Sequence, residues 1–587
     1  MFAIGHKRDD GNVGGGRENG IVHIVLDRSE TAVVQAVQAV QAIRLDTGGT
    51  ILDEHSIPIA ELPAFVASEE RAAPRWVWSD TKVWYPRLLA AGVRVARCVD
   101  LQLSHTILRM SALSAESRLA RSPSGAWDAA SPFQDEPPVA AATLFDFDLP
   151  EPADASDLRP LDEFRAQQDA VAGSTSPGRL RLLLAAESAG ALIAAEMRSA
   201  GLPYSAEVHD ALLTGLLGAR PRAGARPAVL ESLVGEIREA LESPSVNPDS
   251  PPDLLRALNR AGLIVTSTRS WELRKLEHPV IDPLLRYKKL SRLLTANGWS
   301  WLDAWIGDGR FRPDYIPGGV VTGRWATRGG GALQLPRQVR AAVVADPGWK
   351  LVVADAAQLE PRILTGLAGD TAMADAGRGK DLYEGIVASG AVEERAHAKV
   401  AMLGAMYGAT TGESGRLMPR LTRAFPDAVR LVEEAARAGE RGEVVTSRLG
   451  RSSPRPGAGW LAAQSAASAA DSTEADERRA RSQAREWGRF TRNFVVQASA
   501  AEWALCWMAE LRNRLAELSP GTRLEAGPHL VYFLHDEVIV HTPAELAAQT
   551  AEAVVAAAAQ AGRLLFGDFP VDFPVVAAVA DSYAEAK

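Results

Sequence analysis

The stretch VYFLHDEVIVHTP, residues 531–543, decides how this chain is read. Val531, Tyr532, Phe533 and Leu534 precede its polar centre, and Val538, Ile539 and Val540 follow it. Two short apolar runs around a tight polar tip read as two buried strands joined by a turn. His535, Asp536 and Glu537 fill the tip with no spacer. Burying an unpaired carboxylate is costly, so an interior hairpin of this kind needs something to offset the charge. Taken alone, the stretch reads better as a solvated hairpin tip.

The composition is that of a soluble globular protein. Of 587 residues, 47% are hydrophobic and 23% charged, enough for large cores and, as a prior, three or four domains. No apolar run is long enough for a membrane span. The opening MFAIGHKRDDGNVGGGRENG lacks the apolar core and cleavage site of a signal peptide. Cys98 and Cys506 form no CxxC pair, which disfavours a disulfide framework or a thiolate zinc site and fits a reducing cytoplasm. A net charge of −9 argues mildly against a nucleic-acid partner.

Residues 21–110 alternate short apolar strands (IVHIVL, RWVWS) with helical patterns (TAVVQAVQAVQAIRL, YPRLLAAGVRVA), as in an α/β domain. Residues 111–178 are rich in Ser, Ala and Pro and read as a partly loose connection, with LFDFDL a strand and LDEFRAQQDAVAG a helix. From 180 to 300 the pattern is mostly helical. In that region Arg274, Lys275, Arg286, Lys288, Lys289 and Arg292 form a basic run, which on its own reads as a solvated helix face. Residues 451–484 read as a low-complexity excursion leading into a charged helix. The chain closes with a helix, ELAAQTAEAVVAAAAQAGRLLF, and a strand, FPVVAAVADSY.

Two further constellations shift the balance. In WKLVVADAAQLEPRI, Asp355 closes an apolar strand, and Gln358, Glu360 and Arg362 alternate with Leu359 and Pro361, as if sharing a face. By itself such an Asp is most often a cap or turn residue. In VEERAHAKVAMLGAMYGAT, Arg395, Lys399, Leu403 and Tyr407 recur every four residues and form one helical stripe. Arg and Lys at that spacing repel by roughly 0.2–0.5 kcal/mol in an isolated helix, a term an anion reverses. A polyphosphate suits a guanidinium fork beside an ammonium. Gly404 and Gly408 lower the helix propensity and point to close packing against the backbone. Asp355 and Asp536, each at the end of an apolar strand, together supply the hard oxygens that two divalent cations such as magnesium take. Metal charge then answers the question posed by the hairpin tip.

The ordered set TGRW, VVADAAQLEPR, RAHAKVAMLGAMYG, RNFVVQASAAE and HDE closely resembles the polymerase region of the bacterial DNA polymerase I family, family A, over about residues 178–587. Each motif is weak alone; five in order are specific. The resemblance implies an α/β and α+β multidomain fold, with an RNase H-like exonuclease-type domain followed by a right hand of thumb, palm and fingers. The expected bounds are 1–177 for a degenerate exonuclease-like domain with linker, 178–300 for the thumb, 301–375 and 510–587 for the palm, and 376–509 for the fingers. It implies that Asp355 and Asp536 are catalytic and bind two magnesium ions (manganese as a substitute), with the Ala356 carbonyl as a further ligand and Glu537 beside them. Gln358 and Glu360 would face the nucleotide, Glu360 as a steric gate against a ribose 2′-OH. Arg395 and Lys399 would bind the triphosphate, with Leu403, Tyr383 and Tyr407 nearby. Arg324, Gln334, Arg489, Asn493, Gln497 and His535 would contact DNA. The implied partners are primer–template DNA and deoxynucleoside triphosphates, bound by a monomer in the cytoplasm, at the nucleoid.

The chain departs from the family pattern in places. DYSQIELR reads DAAQLEPR, the fingers-helix aromatic is Leu403, and the fingers His is Tyr383. In the N-terminal region Asp27 and Glu30 stand where Asp-x-Glu is expected, while Asp80 and Asp100 resemble later exonuclease positions. An inactive proofreading site and a role in repair or gap filling are therefore expected. Single-subunit RNA polymerases lack the Glu gate and carry HDS, so Glu360 and Glu537 favour DNA synthesis. A non-catalytic primer–template clamp would not need both aspartates. A rearranged, active exonuclease is the remaining alternative.

Overall fold

The computed structural model describes residues 22–28, 39–129, 158–222, 224–329, 331, 335–408 and 412–586. LFDFDL, at 144–149, lies outside them. The chain divides into two compact units. One takes in Met1–Ala200, Asp314–Thr327 and Val352–Val579; the other takes in Gly201–Pro313, Arg328–Leu351 and Ala580–Lys587.

The first unit opens with a five-stranded sheet of β1 (His23–Arg28), β2 (Ala39–Leu45), β3 (Ile51–Pro58), β4 (Arg75–Trp78) and β5 (Cys98–Asp100), in the order β3-β2-β1-β4-β5. The first three strands pair antiparallel, and β1, β4 and β5 run parallel. Both faces are covered, so alternate residues enter opposite cores. Ile24, Leu26, Trp76 and Trp78 pack with Tyr85 and Leu88, while Val25, Ile43, Leu45 and Val77 pack with Leu101 and Phe164. The helical reading of 31–45 is corrected over Ala39–Leu45, which is strand. Val40, Ala42, Ile43 and Leu45 are buried there, and pairing with β1 overrides the Ala- and Gln-rich helix propensity. The edge strand β3 shows no apolar alternation because most of its residues are exposed.

A second sheet comprises β6 (Trp349–Ala356), β7 (His529–Leu534), β8 (Glu537–Pro543) and β9 (Val575–Ala580), in the order β7-β8-β6-β9. Behind it runs a 45-residue helix, Glu474–Leu518, whose N-terminus is closed by a capping box between Thr473 and Asp476. Helices Pro426–Glu440 and Ala547–Phe566 pack along it. The supposed low-complexity excursion contains a helix, Ala458–Ala467, docked on the long helix through Gln464 Nε2 to the Ala480 carbonyl at 3.0 Å. Ala463 is its buried residue, and most of its other Ala and Ser residues are exposed.

A buried ionic cluster ties three parts of this unit together. Arg512 of the long helix meets Glu196 of helix Pro177–Ala200 at 2.7 Å and donates to the Ala96 carbonyl at 2.9 Å. Arg94 and the Tyr85 hydroxyl also donate to Glu196, at 3.1 and 2.7 Å. Burial alone would raise the Glu196 carboxyl; Arg512 and Arg94 outweigh burial and hold it at about 2.

The second unit contains helices Ala206–Leu217, Ala228–Ala240, Pro251–Arg260 and Ile281–Asn297. On the last of these Leu284, Tyr287, Leu290 and Leu293 are buried, and Arg286, Lys289 and Arg292 are exposed at three-residue spacing. The basic run is therefore a solvent-facing stripe.

Candidate active site

The β7–β8 hairpin closes between Leu534 and Glu537, leaving His535 and Asp536 as a two-residue turn. His535 has φ of 57°, and the Asp536 N–H donates to the Leu534 carbonyl at 2.7 Å. An i to i+2 bond across a positive-φ residue is the rare, strained form of γ-turn, a conformation that persists only where its surroundings enforce it. The Tyr315 hydroxyl clamps Phe533, donating to its carbonyl at 2.7 Å while the Phe533 N–H approaches it at 3.1 Å. The sequence reading seats Glu537 at the tip; instead it begins β8 and is 3% exposed. The strand claims it because the turn takes only two residues.

Two segments far apart in sequence meet here: the Ala356 N–H, at the end of β6, donates to the Asp536 carbonyl at 2.9 Å. Asp355 and Asp536 are both half-buried. Burial first, and then the Asp355 charge, push the Asp536 carboxyl up to about 7, with Glu537 and Glu360 adding to the effect. Carboxylates set together so that each resists the other's ionisation are what a divalent cation relieves, and their hard oxygens are the donors magnesium prefers. The donor set therefore fits the metal. Among the described residues no group of three or more His, Cys, Asp or Glu side chains is placed to hold a metal ion.

Glu360 lies beside this pair on helix Leu359–Ala368. Arg324 Nη2 is ion-paired with Glu360 Oε1, and the Tyr407 hydroxyl donates to Oε2 at 2.9 Å. Gln497 Nε2 reaches the Tyr407 hydroxyl at 3.5 Å. The shared polar face read for 358–362 is corrected for Glu360, while Arg362 and Gln358 do meet, at 3.3 Å. Gln358 sits before the helix in a left-handed conformation, φ 50° and ψ 45°. Arg362 is 1% exposed and bonds Asp572 Oδ1 at 2.5 Å and the Lys380 carbonyl at 2.8 Å. Helical rather than strand geometry separates Arg362 from Glu360. Pro361 is tolerated because it lies in the first turn, where its N–H is not needed.

The helix Arg395–Tyr407 exposes Arg395, Lys399, Leu403 and Tyr407 and buries Ala398, Ala401, Met402, Ala405 and Met406. The stripe is thus on one open face. Gly408 ends this helix with φ of 73°, a left-handed C-cap that favours glycine. Capping explains that residue, and the Arg489 side chain also packs closely there, 3.2 Å from where a Cβ would sit. Arg395 donates to Asp381 Oδ2 at 2.7 Å and lies 5.4 Å over the Tyr383 ring. On the long helix Asn493 and Gln497, one turn apart, are half-buried, and Arg489 is exposed. Asn493 Oδ1 is buried without a hydrogen-bond partner among the described residues. His535 is exposed at the turn. Gln334 and Glu30 lie outside the described residues.

The sequence reading passed over Asp381. In KDLYEG it precedes an apolar helix and is followed three residues later by Glu384, a cap signature that hides any other role. In the first sheet's unit, Asp80 caps one helix by accepting from the Lys82 N–H at 2.8 Å. Asp100 accepts from the Thr81 and Leu103 N–H groups at 2.8 and 3.0 Å. Burial, with Asp80 adding to it, raises the Asp100 carboxyl to about 7.

Residues 227–585 match the family model described as DNA polymerase family A. The chain belongs to DNA polymerase family A. Family A polymerases use divalent metal ions. Similar proteins include the thermostable DNA polymerase I of Thermus filiformis, 26% identical over 361 residues, covering 56% of this chain and 39% of that protein. The DNA polymerase I of Chloroflexus aurantiacus is 27% identical over 321 residues, 49% of this chain and 31% of that one. The chain thus spans less than two-fifths of the length of these curated relatives. The polymerase domain of Pol1 from M. smegmatis, solved in complex with DNA primer-template and dNTP, shares the fold with a TM-score of 0.66 at 17% identity, over 96% of both chains. The family A fold accordingly extends to the N-terminal five-stranded sheet, consistent with an exonuclease-like domain. No helix among the described residues is long and apolar enough to cross a membrane.

Proposed function

We propose that this family A chain is a template-directed DNA polymerase, joining deoxynucleotides to a primer 3′-OH. The observation that carries the reading is the meeting of Asp355 and Asp536 at the Ala356–Asp536 backbone bond. Beside it, the Glu360–Tyr407 contact leads to a helix whose open face bears Arg395 and Lys399.

In the reaction the primer 3′-oxygen attacks the α-phosphorus of a bound deoxynucleoside triphosphate. One P–O bond forms, the bond to the β-phosphate breaks, and pyrophosphate leaves. Magnesium, when bound by Asp355, Asp536 and the Ala356 carbonyl, supplies positive charge for the reacting oxygens. The chain's own contribution is positioning and charge neutralisation. Arg395 and Lys399 hold the triphosphate, with Arg395 as the fork and Lys399 as the point charge. Gln358 and Glu360 face the sugar, and Glu360 leaves no room for a 2′-OH. Tyr407 and Leu403 flank the nascent pair. Arg324, Arg489, Asn493, Gln497 and His535 track the primer and template, and Gln334 joins them by sequence alone.

The parts assign as exonuclease-like domain and linker 1–177, thumb 178–300, palm 301–375 and 510–587, and fingers 376–509. The partners are primer–template DNA and deoxynucleotides, bound by a monomer in the cytoplasm. With Asp80 and Asp100 committed as helix caps, we propose that the proofreading site is inactive, which suits repair or gap filling.

Primer extension with magnesium on four templates differing in one base tests the reading. Incorporation should follow the template base, and a single-stranded 3′ end should survive incubation with Asp355→Ala protein. Untemplated addition, or no extension, overturns it.

A further inference from the structure

Arg395 does not wait for the triphosphate with an unengaged guanidinium. Its Nη2 donates to Asp381 Oδ2 at 2.7 Å, and its guanidinium stacks on Tyr383, 5.4 Å from the ring centroid. The same carboxylate oxygen accepts from Gln358 Nε2 at 3.1 Å, while Oδ1 accepts from the Glu384 N–H at 3.0 Å. Asp381 thus gathers a guanidinium, an amide and a backbone N–H, the kinds of donors that surround a phosphate oxygen. By contrast Lys399, one turn along the stripe, is exposed and makes no ion pair among the described residues. The two cations of the stripe are therefore in different states, one already neutralised by the protein and one open.

We propose that Asp381 is a built-in phosphate surrogate, which occupies Arg395 in the nucleotide-free enzyme and must be displaced by the incoming triphosphate. The proposal rests on the reading of Arg395 and Lys399 as triphosphate ligands and adds the element that sets their affinity. The hydrogen bond that Arg395 donates to Asp381 holds the guanidinium above its ordinary range. Burial of Asp381 works against its ionisation, and Arg395 together with the Glu384 and Tyr383 N–H groups outweighs that. Each partner thus favours the other's charged form, and a triphosphate competes against that pairing. The exchange is selective by charge: a ligand has to match a carboxylate backed by an aromatic ring before it gains anything from Arg395. A triphosphate, which also reaches Lys399, exceeds that threshold; a monophosphate does not. Gln358 joins the exchange at its other end, because its Oε1 accepts from the Leu382 N–H at 3.3 Å and from Arg362 at the same distance. The surrogate is therefore anchored to the residue that precedes the Glu360 helix.

Asp381→Asn is the discriminating variant. Asn caps a helix as well as Asp does, so helix Leu382–Ala388 keeps its start, but an amide N–H₂ facing Arg395 cannot accept its hydrogen bond. Asp381→Ser, also a good cap, guards against an effect peculiar to Asn. The probe is inorganic tripolyphosphate, titrated by calorimetry against the full chain without DNA. The dissociation constant should fall by roughly 2- to 5-fold in both variants, the range a partly exposed ion pair spans. The KM for deoxynucleotide should fall in parallel. In an Arg395→Ala background the same Asp381 substitutions should change neither quantity. Unchanged or weaker tripolyphosphate binding overturns the proposal. An equal gain in the Arg395→Ala background also overturns it, because the effect is then only the loss of one negative charge. Titration needs no turnover, so a chain that gains tripolyphosphate affinity yet extends no primer refutes the polymerase reading and leaves the surrogate standing.

Discussion

Glu360 is held from two sides, by Arg324 and by the Tyr407 hydroxyl. A gate must be rigid to exclude a single hydroxyl, since a loose side chain yields to it. Truncating it should relax sugar choice: Glu360→Ala is expected to lower the ratio of kcat/KM for deoxy- over ribonucleotides by at least about 100-fold, more than the loss of one methylene-sized contact gives. Single-nucleotide incorporation with matched dNTP and rNTP measures it, and an unmoved ratio removes Glu360 from the gate. At this scale the sequence is legible where a residue's type and its place at a strand end coincide, as for Asp355 and Asp536. It is misleading where two geometries share one spacing. Alternation made Arg362 a neighbour of Glu360, and the helix buries it against Asp572. Asp381 stayed hidden because its capping role already accounted for it.

Among the elements, the hairpin and β6 are legible as short, almost continuously buried apolar runs, and the helix Arg395–Tyr407 because its buried and open faces alternate at the helical period. Strand β2 is not, since its small and Gln-rich residues fit a helix equally well until β1 pairs with it. The crossing of helix Pro426–Glu440 over the long helix depends on small residues that no periodicity announces. A Cβ added at Gly439 would collide with the Thr491 side chain, whose hydroxyl donates to the Ala435 carbonyl at 2.7 Å. Gly439→Ala should therefore destabilise the protein by about 1–3 kcal/mol through overpacking, despite the better helix propensity of Ala. Urea denaturation decides it; a stabilised variant would show that the helices separate freely.

For the molecule as a whole, the Glu196 cluster joins the first sheet's layer, helix Pro177–Ala200 and the long helix. Its folded value of about 2 lies below the ordinary 4.5, so the stability it contributes is complete above pH 4.5 and is lost as pH falls toward 2. Glu196→Gln should cost about 3–5 kcal/mol at pH 7 by stranding Arg512, with the gap to wild type narrowing below pH 4.5. Glu502 runs the other way. Burial raises it to about 7, so its ionisation costs stability as pH rises from 4.5 through 7, and Glu502→Gln should raise Tm at pH 8 but not at pH 4. Melting curves across pH 3–8 test both signs. None of this cluster was legible beforehand, because its charges come from segments hundreds of residues apart. The candidate active site depends on one convergence, that of Asp355 with Asp536. The most direct test is single-turnover incorporation of one deoxynucleotide with magnesium, comparing wild type with Asp355→Asn and Asp536→Asn. Each substitution should slow the step by about 1,000-fold or more, about 4 kcal/mol of barrier, and the double variant should be scarcely slower than either single one, as for groups acting as a unit. Incorporation at the wild-type rate by either single variant would contradict the account.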